Sequence, residues 1–287
     1  MKKVLLAILV VVMVAIGIVG LSACAEDQTL KIVGYTDENG NFVPIQLTDE
    51  KYAFAVNKMD TQLRDQVNAV LANKKTEIDA IIAKGFDGSE LTKVTPVAKD
   101  PAKRAQQLII ATSADFPPFE STSDEVDYYG IDMEIAQLIA TELGKELVIE
   151  NMIFDSVISA VQSGKADLGM AGMTVTSDRL VSVNFCTEYY QASQVLVVKS
   201  GDKTFDNCKS KADVEKILKT LEGISVGSQS GTTGYDYIND GYEALTAEGY
   251  EDAGLAMKDM QNGAVQIVIV DLAPAQLLVK SFNAQVE

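Results

Sequence analysis

Along most of the chain, short apolar runs alternate with longer segments in which apolar residues recur every three or four positions. The runs at 30–33, 52–56, 108–112, 147–149, 166–170, 194–198, 224–226 and 266–270 are predicted strands. Leu63, Val67, Val70, Leu71, Ile78, Ile81 and Ile82 recur at helical spacing. Ile131, Ile135, Leu138, Ile139 and Leu143 do the same, with Gly144 placed to cap the helix end. Further helices are predicted around Val157, Ile158 and Val161 before Gly164, around Val214, Ile217, Leu218 and Leu221 before Gly223, near Met257 and Met260, and over 273–279. Strand and helix alternation predicts α/β layers with parallel sheets. Between 87 and 107 the pattern dissolves into Gly88, Ser89, Pro96, Pro101 and scattered charges, which predicts a linker.

The first residues follow a different rule. Met1-Lys2-Lys3 is basic and residues 4–21 carry no charge, the layout of a secretory signal over residues 1–23. An uncleaved anchor helix is the competing reading. Leu21-Ser22-Ala23-Cys24 resembles the lipobox of bacterial lipoproteins, which implies lipidation of Cys24 and a membrane-anchored, extracytoplasmic protein. Residues 24–29 are then the lipid tether. Removing 1–23 takes away Lys2 and Lys3, leaving 22 basic against 41 acidic residues, a net −19.

Composition narrows the chemistry. The 287 residues include no His and no Trp, which excludes imidazole acid/base systems and His-ligated zinc. A net charge of −17 argues against nucleic acid, since phosphate recognition needs a basic face. No motif calls for a cofactor or a metal. Cys186 and Cys208 permit one disulfide in an exported chain, or two separately buried thiols; both readings stand.

Four segments between strand ends and helix starts carry candidate chemistry, the place where α/β sheets take ligands. Ser113-Ala114-Asp115-Phe116-Pro117-Pro118-Phe119-Glu120 offers aromatic walls on a proline-stiffened loop. Gly172 to Arg179 offers exposed backbone, hydroxyls and a guanidinium that can hold a carboxylate in two parallel bonds. Gly231-Thr232-Thr233-Gly234 opens a helix, whose first amides attract an anion. Asp271 either pairs with an ammonium or caps the following helix.

In this order, and together with Gly130-Ile131-Asp132, Phe185, Tyr189-Tyr190 and Pro274, these segments resemble the polar amino-acid receptors of bacterial ABC importers, the extracellular solute-binding proteins of family 3. The resemblance runs from 108 to 278. It implies a two-lobed periplasmic-binding-protein-like α/β fold with two crossing strands, closing on a free amino acid. Arg179 matches the clamp for the ligand α-carboxylate, and Thr174 with the backbone of Thr232 and Thr233 matches its hydrogen-bond donors. Asp271 matches the acceptor of the α-ammonium, beside the carbonyl of Gly172. Phe116 and Phe154 match aromatic walls, and Ser113 and Gln229 match positions that sense the side chain. Receptors for cationic amino acids often place an acid where this chain has Ser113, so a neutral, polar ligand is expected. The partners implied are an importer permease and the membrane, with the receptor a monomer.

The order of the pieces departs from the family. The segment that ordinarily closes the chain resembles 30–85 here and comes first, so the sequence reads as a circular permutant in which the linker 87–107 joins the ancestral ends. If 51–56 and 194–198 are the crossings, lobe 1 is continuous over 51–198. Lobe 2 is then split between 30–50 and 199–287. Two rival functions remain. A periplasmic dehydratase uses a related fold, with only carboxylates such as Asp115 or Glu120 on offer for acid/base work; a ligand sensor for a signalling partner is the other.

Overall fold

A computed structural model describes residues 28–124 and 126–286. Two five-stranded sheets form the cores of two lobes. In lobe 1 the strand order is Glu146–Asn151, Gln107–Thr112, Leu168–Gly169, Ala55–Asn57, Val183–Phe185. In lobe 2 it is Leu30–Ile32, Gln194–Lys199, Ile267–Asp271, Ile224–Gln229, Leu245–Tyr250. The fold is the predicted α/β, two-lobed architecture, but the sheets are mixed rather than parallel. Ala55–Asn57 runs antiparallel to both its neighbours, and Gln194–Lys199 to both of its own.

Both faces of each sheet are covered, which is why its strands read as continuous apolar runs rather than alternating ones. In lobe 1, Leu108 and Ile110 pack on one side with Ile131, Ile135 and Ile139 of the helix Ile131–Glu142. Ile109 and Ala111 face the other way, onto Val157 and Val161 of the helix Phe154–Gln162. Lobe 2 repeats the device. Val195, Val197 and Val268 meet Met257 and Met260, whereas Leu196, Val198 and Ile269 meet Val214, Leu218 and Ile238.

Two short strands join the lobes. Glu50–Tyr52 pairs antiparallel with Tyr190–Ala192, with Tyr52 opposite Tyr190 and Glu50 opposite Ala192. This corrects both expected crossings. The run 52–56 is not one strand: it breaks after Tyr52, and Ala55–Asn57 joins the lobe 1 sheet. The run 194–198 is no crossing at all, since Gln194–Lys199 lies inside the lobe 2 sheet between Leu30–Ile32 and Ile267–Asp271. Hydrophobicity marked both runs as buried strands without saying which sheet buries them.

Other elements refine the expectations. The helical pattern of 63–82 is two helices, Thr61–Asn73 and Lys75–Phe86, meeting at Lys74. Leu245–Tyr250 was not foreseen, because an edge strand with half its residues exposed carries little apolar signal. The linker is pinned to lobe 1, with Val94 buried and bonded both ways to Tyr128, and the Val97 amide donating to the Leu147 carbonyl.

Cys186 and Cys208 are free, buried thiols in separate core clusters. The disulfide reading is therefore overturned. Apolar surroundings push the Cys186 thiol up to about 12, so it stays protonated. Cys24, the signal and most of the tether lie outside the described residues. Among the described residues, no helix is long and apolar enough to cross a membrane.

Candidate functional site

One cleft between the lobes is lined by Ser113, Phe116, Phe154, Gly172, Thr174, Arg179, Gln229, Thr232, Thr233 and Asp271. These are the ten site residues expected from the sequence, and the fold brings them together from five strand ends. Each loop follows the end of a sheet strand, so the two sheets aim their strand ends at one another across the hinge. Asp115, Glu120 and Ala171 line the same cleft. The two acids had been weighed only as acid/base candidates.

Lobe 1 contributes the cation. Arg179 opens the short helix Arg179–Ser182. Its Nη1 donates to the Thr174 carbonyl at 2.8 Å and its Nη2 reaches across to the Gly231 carbonyl at 3.0 Å. The guanidinium stands 5.2 Å from the centre of the Phe154 ring, an arrangement that favours a cation over an aromatic face. Burial lowers its pKa, and the nearby Glu50 charge is the first influence opposing this; an arginine remains charged throughout. Gly172 sits at φ +52, and a Cβ there would come within 2.8 Å of Phe116. Glycine is what allows the backbone to approach the aromatic wall.

Lobe 2 contributes amides and a carboxyl. Thr232 caps the helix Thr233–Gly241, its Oγ1 accepting from the Tyr235 amide, so the first turn opens on the cleft. Asp271 is the last residue of its strand and makes no side-chain cap to the helix Leu272–Asn283. The capping reading therefore falls. Asp271 instead accepts from the Tyr52 hydroxyl. Its pKa rises to about 7, chiefly through burial and next through the Glu50 charge, with the Tyr52 bond and Arg179 opposing.

The far end of the cleft is acidic. Ser113, a site of expected neutrality, donates its hydroxyl to Asp115 Oδ2 at 3.1 Å, and Gln229 Nε2 reaches Asp115 Oδ1 from the other lobe at 3.4 Å. Desolvation raises Asp115 to about 6. Glu120 is fully buried and accepts no hydrogen bond from a protein donor; its side-chain partner is the carboxyl of Asp132. Burial first, and the facing carboxylate of Asp132 second, push it well above the usual range. Asp132, also fully buried, accepts from the Tyr189 hydroxyl and the Gly172 amide. The sequence signal for this cluster was present, since acids 115, 120 and 132 flank the aromatic loop and the helix start. What the residue types do not show is that all three carboxyls are buried toward one another. Among the described residues, no group of three or more His, Cys, Asp or Glu side chains is arranged to hold a metal.

The sequence profile of the bacterial extracellular solute-binding proteins, family 3, matches residues 108–271. The chain belongs to this family. It is 32% identical over 200 residues to the putative ABC transporter arginine-binding protein 2 of Escherichia coli K12, covering 70% of this chain and 72% of that protein. It is 31% identical over 172 residues to the ABC transporter arginine-binding protein 1 of the same organism, covering 60% and 66%. The chain thus spans about two thirds of the length of these relatives, both named as binding proteins. The arginine-binding protein of T. maritima in its holo form superposes with a TM-score of 0.56 at 31% identity, over 64% of this chain and 77% of that one.

Proposed function

We propose that the protein is an extracytoplasmic receptor that closes on a free amino acid and delivers it, as a monomer, to the permease of an ABC importer. One observation carries the reading: Arg179 from lobe 1 and Asp271 from lobe 2 line the same cleft. A zwitterion has opposite charges a few ångströms apart, and only the closed protein lets it meet both partners. That difference in affinity between open and closed forms is what drives closure. Arg179 and the first amides of the helix Thr233–Gly241 take the α-carboxylate, whereas Asp271 and the Gly172 carbonyl take the α-ammonium. Phe116 and Phe154 flank the side chain. A lipid on Cys24 holds the receptor at the membrane. A sensing role would use the same cleft and differ only in the partner recovered with it.

The side-chain preference follows from the acidic end. Expectation of a neutral ligand rested on Ser113, but Asp115 and Glu120 deliver carboxyl groups to the same space. Burial first and neighbouring carboxylates after it raise these acids, and an opposite charge beside them compensates both. A cationic side chain supplies that compensation, so we favour arginine or lysine over a neutral ligand. The E. coli and T. maritima relatives, named for arginine, support this choice. A thermal-shift screen of the twenty amino acids tests it, because a ligand that binds the folded state raises the melting temperature. Arginine or lysine should give the largest shift. A larger shift from glutamine or another neutral amino acid returns the preference to the Ser113 reading, and no shift from any of them removes the receptor function.

The chain order also belongs to this proposal. Support for permutation comes from the new ends: the Leu30 amide donates to Asn283 Oδ1 at 2.7 Å, and Asn283 Nδ2 donates back to the Leu30 carbonyl at 2.9 Å. The end of the last helix therefore lies against the first strand, where a single uninterrupted chain would run in the family order. The linker meanwhile spans the gap from the helix Lys75–Phe86 to the strand Gln107–Thr112. Permutation succeeds where old ends are close and the new break is at the surface.

A further inference from the structure

The crossing strand Glu50–Tyr52 alternates, with Lys51 exposed and both Glu50 and Tyr52 buried. The inward pair touches the ligand clamp directly. Tyr52 holds Asp271, as described, and Glu50 Oε2 accepts from Thr174 Oγ1 at 2.7 Å and Thr233 Oγ1 at 2.9 Å. Thr174 belongs to lobe 1 and Thr233 to lobe 2, so one carboxylate on the hinge ties a cleft hydroxyl from each side. Its other oxygen has no partner in the protein.

A threonine hydroxyl has one proton and two lone pairs. Both protons here are given to the same carboxylate oxygen, so each hydroxyl has only lone pairs left for anything else. Thr233 already behaves this way, its Oγ1 accepting from Gln194 Nε2 at 3.2 Å. Lone pairs suit an ammonium and repel a carboxylate. This reverses the donor role that the family resemblance implied for the Thr174 side chain.

Resting on the receptor reading above, we infer that Glu50 is a positioning residue that fixes the Thr174 and Thr233 hydroxyls as acceptors, so that these two hydroxyls serve the ligand ammonium while Arg179 and the Thr233 amide keep the carboxylate. It acts through the two threonines rather than on the ligand. Because it sits on a crossing strand, it also links ammonium recognition to the hinge that closes the lobes.

The test uses calorimetry on the full chain with L-arginine, or whichever amino acid the screen selects, and with its desamino analogue, which lacks the ammonium. Glu50→Met removes the acceptor and keeps the chain length; Glu50→Gln keeps an acceptor oxygen and removes the charge. Glu50→Met should cost the amino acid about tenfold or more in affinity, and the desamino analogue no more than about threefold. Glu50→Gln should retain most of the discrimination. Should Glu50→Met fail to fold, Thr174→Val against Thr174→Ser makes the same comparison, with only the valine losing ammonium selectivity. Equal losses for both ligands overturn the inference, as does a Glu50→Gln that behaves like Glu50→Met. Wild-type protein that binds none of the twenty amino acids overturns the receptor reading itself, and the inference with it.

Discussion

Arg179, half-buried, and Glu120, fully buried, line one cleft, yet only the first finds complementary partners in the protein. Arg179 has two carbonyl acceptors, an aromatic face beneath it and an acid on the hinge nearby. Glu120 accepts no hydrogen bond from the protein, and the one side chain its raised carboxyl can bond is a second buried acid, Asp132. The carboxylate end of the cleft is held ready by its own neighbours. The side-chain end is a cluster of like-signed groups that a cation would relieve. The comparison teaches that general recognition of an amino acid and selection of its side chain are built differently here: the first from satisfied, oriented partners, the second from an uncompensated acid cluster.

Removing the guanidinium is the most direct way to break the comparison. Arg179→Ala should lower amino-acid affinity at least about 30-fold, since truncating one partner of a buried charge pair costs roughly 2–5 kcal/mol. Calorimetry on a variant whose melting shows an intact fold checks this, and unchanged affinity would take Arg179 out of the site. Glu120→Gln probes the other end. It should weaken arginine about tenfold while leaving glutamine nearly unaffected; equal effects on both would mean that the acid cluster does not read side-chain charge.

Acidity sharpens the contrast in a second way. Asp271, raised to about 7, must be ionised to hold an ammonium, so affinity should fall as pH drops below about 7, approaching tenfold per unit. Stability without amino acid should move oppositely. Asp115 and Asp132 near 6 and Asp271 near 7 bind protons more tightly folded than unfolded. Their contribution is complete below the ordinary carboxyl value and is lost as pH rises through 6 to 7. The melting temperature should therefore increase from pH 8 to pH 5, and a decrease over that interval would contradict the buried cluster. The smallest effect belongs to the surface. Lys75 and Asp79 pair at 2.7 Å on an exposed helix face, and Lys75→Ala should shift the melting temperature by about 1 °C or less.

Much of this was legible along the chain. Periodicity located most strands and helices, because burial on both sheet faces leaves unbroken apolar runs and helix burial leaves a three-to-four spacing. Glycines at 144 and 164 marked helix ends through their positive φ. The ten cleft residues were legible through the resemblance to the family, whose motifs recur in order at the strand ends; Phe154 and Gln229 carry no local signal of their own. Asp115 and Glu120 were in view as residues, but their environment was not, since their burial depends on the whole fold and the acids acting on Asp115, Asp252 and Glu251, lie far along the chain.

The sequence by itself determined the α/β alternation, the family and which loops carry polar chemistry, since these depend on local pattern and on order along the chain. Only the tertiary structure decided that 52–56 divides between two sheets, that 194–198 sits inside lobe 2, and that the two thiols are buried apart. It alone set the hydroxyls of Thr174 and Thr233 on one oxygen of Glu50. The groups that fix the direction of these hydroxyl protons lie 124 and 183 positions apart in the chain. No local pattern records which of them will meet.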